Sequence, residues 1–387
     1  MPALLPSRDE LPVLGPAIGA LGPALLLALY LSRPSRSLNL TVLPLFLATA
    51  LYTSLAYTTG SAADDYGRAT LNFVLALKAV EAFLLTRPSF EVAFRKTATG
   101  SIPEPWSLAR LGWAIKVMTS LRGAGWSWQV RGVPPTRSPP PSRSTFVKSR
   151  LARVVYLYLS MDAVSTYMQT RPYFHRQVAL VELSFVERVV NMASACLAGG
   201  LAMTILHNAV SAICVATTWW GPEECPDMIG DWKQATSLSG FWGKVWHQSF
   251  RRPFTSIARF VVSAVPLVPP TSRVARFSIL CLAFLQSGLL HAFSAYAMAR
   301  TGMGSIKFFA VQPFGIVVEA FVSKRTSGLG SRTVRNACGY VWVATWLVYW
   351  CPSFYYELVQ AGMWEVDLAP LSVVKGIWKG QWLNLPP

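Results

Sequence analysis

A chain of 387 residues that is 52% hydrophobic and only 14% charged, with a mean hydropathy of +0.37, is too apolar for an ordinary soluble enzyme. Its long uncharged runs read as membrane helices, and they lack the short alternation of a β-barrel. The net charge of +17 would suit nucleic acid, but no recognisable nucleic-acid module accompanies it, so lipid head groups or an anionic co-substrate are the expected partners.

Residues 11–32 form an apolar run long enough to cross about 30 Å of hydrocarbon. The run is too long for the core of a cleavable signal peptide, and Asp9 and Glu10 stand where a basic region would precede one, so a retained helix is expected. Further spans are expected at residues 40–57, 71–85, 154–168, 189–220, 257–268, 277–298, 308–322 and 337–354. The expected fold class is all-α, a polytopic membrane protein with about eight or nine transmembrane helices. Gly199-Gly200 and Gln312-Pro313 are candidate helix interruptions.

Residues 60–69 read as a loop carrying Asp64 and Asp65 against Arg68, whereas residues 87–153 hold twelve Lys/Arg against Glu91 and Glu104. The positive-inside rule places 87–153 in the cytosol and the N-terminus opposite. A second cytosolic connection is expected near 221–253, with basic residues 324–335 falling on the far side. Pro134, Pro135 and Pro139-Pro140-Pro141 mark 132–144 as an exposed loop. Residues 1–387 are expected to form a single membrane domain.

The six cysteines lack metal-site or redox spacing and read as small core residues. The glycosylation acceptor Asn39-Leu40-Thr41 abuts a span on the expected cytosolic side and is expected to be unused. Gly302 to Lys307 lacks phosphate-loop spacing. There is no His-Glu-x-x-His site and no Gly-x-Ser-x-Gly elbow, and no metal is expected.

His291 lies in an apolar helix with Ser287, Gly288 and Ser294 on its face, as where a helix turns toward a cavity or a neighbour. An imidazole there can take a proton from an alcohol; it can equally be a structural helix-contact residue. Phe241-Trp242-Gly243-Lys244-Val245-Trp246-His247 puts Trp242 and Trp246 on one helical face, with Lys244, Arg251 and Arg252 available to attract phosphate. His247 can orient a carbonyl or an oxyanion; the alternative is an interfacial helix that only anchors the chain. Among the other polar groups, His207 reads as a helix-contact residue, His175 as solvated and Lys78 with Glu81 as an ion pair. Asp162 and Glu319 are intramembrane acids, either of which could orient a histidine.

Four stretches together resemble the wax-synthase-like branch of the membrane-bound O-acyltransferase superfamily, particularly fungal acetyltransferases of terpenoid biosynthesis. They are Arg122-Gly123-Ala124-Gly125-Trp126-Ser127-Trp128, residues 237–250, residues 287–291, and Phe308-Phe309-Ala310-Val311-Gln312-Pro313 with Glu319. The resemblance implies that His291 is the catalytic histidine and His247 the second, Asn-or-His, active-site position. It implies an acyl-CoA co-substrate, most simply acetyl-CoA, bound with help from Lys244, Arg251 and Arg252, and a lipophilic alcohol acceptor. The expected home is an endoplasmic-reticulum membrane. A long-chain wax or sterol ester synthase is the enzymatic alternative, and a transporter or scaffold the non-enzymatic one; no inverted repeat supports transport.

Overall fold

The computed structural model describes residues 9–10, 36–85, 103–104, 107–136, 141–266, 268–326, 328 and 330–384. The expected span at 11–32 lies outside them. The chain divides into two compact units, Met1–Val130 with Ser249–Pro313, and Arg131–Gln248 with Phe314–Pro387. Among the described residues the secondary structure is helical apart from short pairings, such as β1 (Asp9–Glu10) running parallel to β2 (Tyr57–Thr58).

In the first unit, α1 (Arg36–Ala56) leads through β2 to α2 (Ala62–Val80), which widens into a π-helical turn at Glu81–Leu85. The loop expected at 60–69 is therefore mostly helix. Ser61 caps α2 by accepting from the Asp64 amide, and Asp64 and Asp65 in the first turn complement the helix dipole. Lys78 reaches the end of α3 (Leu108–Thr119), donating to the Val117 and Met118 carbonyls at 2.9 Å each. It thereby satisfies groups that the helix terminus leaves without intrahelical partners. The unit is completed by α6 (Arg251–Ser263), α7 (Arg273–Ala299) and α8 (Met303–Ala310). A Cβ on Gly302 would come within 2.6 Å of the Ala292 carbonyl oxygen, so a residue without a side chain lets α8 turn back along α7.

In the second unit, α4 (Arg143–Gln169) packs against α5 (Phe185–Ala216). A reciprocal Ser184–Glu187 capping box starts α5, which runs unbroken through Gly199-Gly200. The expected interruption there does not occur, and a Cβ on Gly199 would meet the Tyr355 hydroxyl at an ordinary contact distance of 3.7 Å. Arg150 staples α4 to α5 and to the loop beyond, donating to Asn208 at 2.8 Å, Asp227 at 2.6 Å and the Cys225 carbonyl at 2.7 Å. The remaining helices are α9 (Gln312–Arg325), α10 (Arg332–Gln360) and α11 (Val373–Lys379). Asp162 caps α11, accepting from the Ser372 hydroxyl at 2.5 Å and the Val374 amide at 2.9 Å.

Among the described residues, three helical stretches are long and apolar enough to cross a membrane, Phe185–Ala216, Arg273–Ala299 and Met303–Arg325. They cover the spans expected at 189–220, 277–298 and 308–322. The other expected spans that are described also fall on helices. These are shorter or carry charge, as with Arg150, Arg153 and Asp162 on α4, so length and composition do not give eight or nine crossings among the described residues. The break expected at Gln312-Pro313 amounts to one residue, Val311, between α8 and α9. Cys225 and Cys351 are buried as expected, but Cys338 is exposed on α10.

Candidate functional site

His291 projects from α7 and is half-buried between α2 and α8. Its Nδ1 lies 2.5 Å from the Tyr66 hydroxyl of α2. Its ring stacks on Phe309 of α8 with centroids 5.0 Å apart and planes within 4°. The small polar face read from the sequence is what makes these contacts. A Cβ on Gly288, one turn before His291, would lie 3.2 Å from Ile306 Cα and 3.3 Å from Phe309 Cβ. The bare glycine lets α8 come close enough for the stack. Ser294, one turn after His291, meets Thr70 of α2 at 2.8 Å between hydroxyl oxygens. Tyr66 is absent from the sequence-based site because its segment read as loop. The signal was present, since a cap at Ser61 with acids at Asp64 and Asp65 starts a helix that sets Tyr66 and Thr70 four residues apart on one face.

His247 ends a different kind of structure. Ser237 opens a helical turn, Leu238–Gly240, by accepting from the Gly240 amide at 2.8 Å. The chain then makes a π-helical turn, Phe241–Val245, closed by the Trp246 amide on the Phe241 carbonyl at 2.8 Å. Trp246 is extended, so the continuous helical face expected for Trp242 and Trp246 does not form. Their rings still meet edge to face at 6.3 Å, with Phe241 5.0 Å from Trp242. The Gln248 amide locks the exit, donating to the Trp242 carbonyl at 2.9 Å and the Trp246 carbonyl at 2.5 Å. His247 is half-buried with its ring 5.3 Å from Trp246. Glu319 of α9 caps the start of this turn. It accepts from the Leu238 amide, from the Ser239 amide at 3.3 Å and from Trp342 Nε1 at 3.1 Å.

The two acids expected to lie within the membrane are thus caps, Glu319 for the His247 turn and Asp162 for α11. Of the expected phosphate-binding residues, Lys244 is exposed in the second unit, while Arg251 and Arg252 begin α6 in the first. Arg252 pairs with buried Glu81 at 2.6 Å and lies 4.9 Å over the Trp128 ring. Glu81, whose charge acts on Lys78 as expected, also ties α6 to the end of α2, and it accepts from Ser256 at 3.1 Å. The Arg122 to Trp128 stretch is a compact turn in which Gly123 has φ +62° and Trp126 and Trp128 are buried. A Cβ on Gly123 would sit 2.4 Å from the Trp128 ring, so the turn demands glycine twice over.

The remaining histidines are held by carbonyls. His207 Nε2 donates to the Pro226 carbonyl at 2.9 Å, and His175, which read as solvated, donates to the Gln169 carbonyl at 3.1 Å. Burial pushes the Cys225 thiol up to about 12, the wrong direction for a nucleophile. Among the described residues no cluster of three His, Cys, Asp or Glu could hold a metal ion.

Residues 225–311, which include both His247 and His291, match the model of the membrane bound O-acyl transferase family. The acetyltransferase ple2 of Rhodocybe pseudopiperita is 30% identical over 330 residues, 84% of this chain and 86% of the relative. The acetyltransferase eriL of Hericium erinaceus is 30% identical over 381 residues, 95% of this chain and 98% of the relative. The O-Mevalon transferase yanI of Aspergillus niger is 28% identical over 268 residues, 61% of this chain and 59% of the relative. No solved structure matches the chain.

Proposed function

The chain belongs to the membrane-bound O-acyltransferase family, and from that premise we propose that it transfers acetyl from acetyl-CoA to a hydroxyl of a terpenoid or related lipophilic secondary metabolite, with His291 as general base. The observation that carries the proposal is the fixed imidazole of His291, bonded at 2.5 Å through Nδ1 and stacked on Phe309. With Nδ1 engaged, Nε2 is the nitrogen that takes the alcohol proton as the oxygen attacks the thioester carbonyl. The carbon–sulfur bond then breaks, and the proton passes to the departing thiolate of CoA. No enzyme nucleophile is needed, and holding the two substrates in line supplies much of the rate.

The acceptor reaches the enzyme from the bilayer and the donor from the cytosolic side of an endoplasmic-reticulum membrane. Exposed Lys244 attracts the donor's phosphates. His247 supplies the second active-site group of the family. The whole of residues 1–387 serves this one activity.

The test is labelled acetyl transfer by microsomes carrying wild type or His291→Ala, offered a panel of terpenoid alcohols. General-base catalysis contributes about 10²–10⁴-fold, so the variant is expected to lose activity on that scale at equal expression. A folded His291→Ala protein with full activity rejects the base assignment. The relative named an O-Mevalon transferase is reason to include larger acyl donors, and palmitoyl-CoA in the same panel tests the long-chain ester synthase.

A further inference from the structure

We propose that Tyr66 is a positioning residue for the reaction, its phenolic oxygen accepting the Nδ1–H of His291 and so holding the imidazole in the tautomer that presents Nε2 as the base. The inference rests on the base role given to His291 and extends it to a residue that lies outside the matched family segment, residues 225–311.

The 2.5 Å contact accommodates either direction of the hydrogen bond, and the base role selects one. If the phenol donated to Nδ1, a neutral imidazole would carry its proton on Nε2, and that nitrogen would be a donor and no base. Base chemistry requires the opposite arrangement, with Nδ1–H donating across the 2.5 Å contact. As Nε2 takes the alcohol proton the ring becomes an imidazolium, and a bond in which the donor becomes charged strengthens. Tyr66 keeps its own proton throughout. The only proton that moves goes from the alcohol to Nε2 and then to the CoA thiolate.

The surroundings hold Tyr66 as firmly as Tyr66 holds His291. It sits in the first turns of α2, whose start is pinned by the Ser61 cap. The next residue back, Asp65, is buried and accepts from the Thr58 hydroxyl at 2.6 Å and the Thr59 amide at 2.8 Å. One turn on, the Thr70–Ser294 contact at 2.8 Å sets the register of α2 against α7. The Phe309 stack, with planes 4° apart, fixes the tilt of the imidazole, and the Tyr66 hydroxyl bears on its rotation about the stacking axis. A base must be held to about half an ångström to be effective, and these contacts supply that order.

The experiment compares wild type, Tyr66→Phe, Tyr66→Gln, Thr70→Ala and His291→Ala in microsomes, with two acceptors of like shape, an alkyl alcohol and its more acidic fluorinated analogue. Tyr66→Phe removes one oxygen and keeps the ring. It is expected to lower kcat by about 10–100-fold, the scale seen when a metal-bound histidine loses the partner that orients it, with KM unchanged for both substrates. The loss should shrink for the acidic alcohol, which needs the base less. Tyr66→Gln, offering an amide oxygen, should recover part of the rate. Thr70→Ala loosens the same helix pair while leaving the Tyr66 hydroxyl in place, so its acceptor dependence should be smaller than that of Tyr66→Phe.

A Tyr66→Phe enzyme with unchanged kcat beside an inactive His291→Ala enzyme overturns the Tyr66 role and leaves the base intact. A loss equal for both acceptors, or confined to KM, overturns it as well. An active His291→Ala enzyme instead removes the base reading on which this inference stands.

Discussion

His291 takes its partner from Tyr66, 225 residues earlier in the chain, and its ring stack from a third helix, whereas the turn ending at His247 is closed mainly by bonds among residues 237–248. The first arrangement is an interface of three helices in which a neutral hydroxyl meets an imidazole. The second is a local π-helical turn with three aromatic rings, capped from a distance by one carboxylate, Glu319. The difference assigns different sensitivities. Disturbing the first should alter catalysis at nearly constant stability, as with Tyr66→Phe, and disturbing the second should unfold a segment.

The larger way to sharpen that contrast is Glu319→Ala. It strips an acceptor from the Leu238 and Ser239 amides and from Trp342 Nε1. Leaving such donors unmet costs about 1–3 kcal/mol, so the variant should melt earlier in detergent, with a change in tryptophan emission because Trp242, Trp246 and Trp342 pack around the turn. Glu319→Gln, which keeps an acceptor oxygen, should lie between it and wild type. Equal melting of Glu319→Ala and wild type would show that the cap contributes nothing.

Gly288→Ala probes the other region. Its new methyl would sit 3.2 Å from Ile306 Cα and 3.3 Å from Phe309 Cβ, closer than ordinary contact, so α8 must give by a few tenths of an ångström. Overpacking of this kind costs about 1–3 kcal/mol when neighbours are rigid, and α8, only eight residues long, can shift. The expected result is a stability loss at the low end of that range with a several-fold fall in kcat, as Phe309 moves off the imidazole. Unchanged kcat would show that the stack is incidental.

How much could be read in advance follows the same division. The local features were legible. The 241–247 motif announced an aromatic cluster, though as a helical face where the chain makes a π-helical turn, and the small residues around His291 announced a helix turned toward a cavity or a neighbour. Hydrophobic runs at 189–220, 277–298 and 308–322 marked three helices that can cross a membrane. What stayed hidden was pairing at long range. Glu81 sits three residues from Lys78 and its charge does act on that ammonium, but tertiary packing adds an ion pair with Arg252 at 2.6 Å that local spacing does not announce. Asp162 and Glu319 looked like acids for histidines because a carboxylate in an apolar helix needs a partner, but backbone amides at two helix starts satisfied the need. Tyr66 was missed for a local reason, the unread cap at Ser61, and a distant one, since nothing near it in sequence names His291.

The smallest expected effect concerns the root of the His247 region, where Asp227 leads into the turn and Gly230 donates to the Val245 carbonyl at 2.8 Å. Burial alone would raise the Asp227 carboxyl, but Arg150 at 2.6 Å and Arg153 at 2.5 Å outweigh it and hold the group below the usual carboxylate range. A carboxyl depressed in the folded state stabilises fully above its unfolded value of about 4 and loses that contribution as pH falls through the folded value. Melting of Asp227→Asn should therefore fall below wild type near neutral pH, with the gap closing as the solution is acidified below about pH 4. The Asp227 side chain is 43% exposed, so salt should narrow the gap too. A gap that persists unchanged from neutral to acid would mean that Asp227 acts through its shape alone, and the root of this turn would then owe nothing to charge.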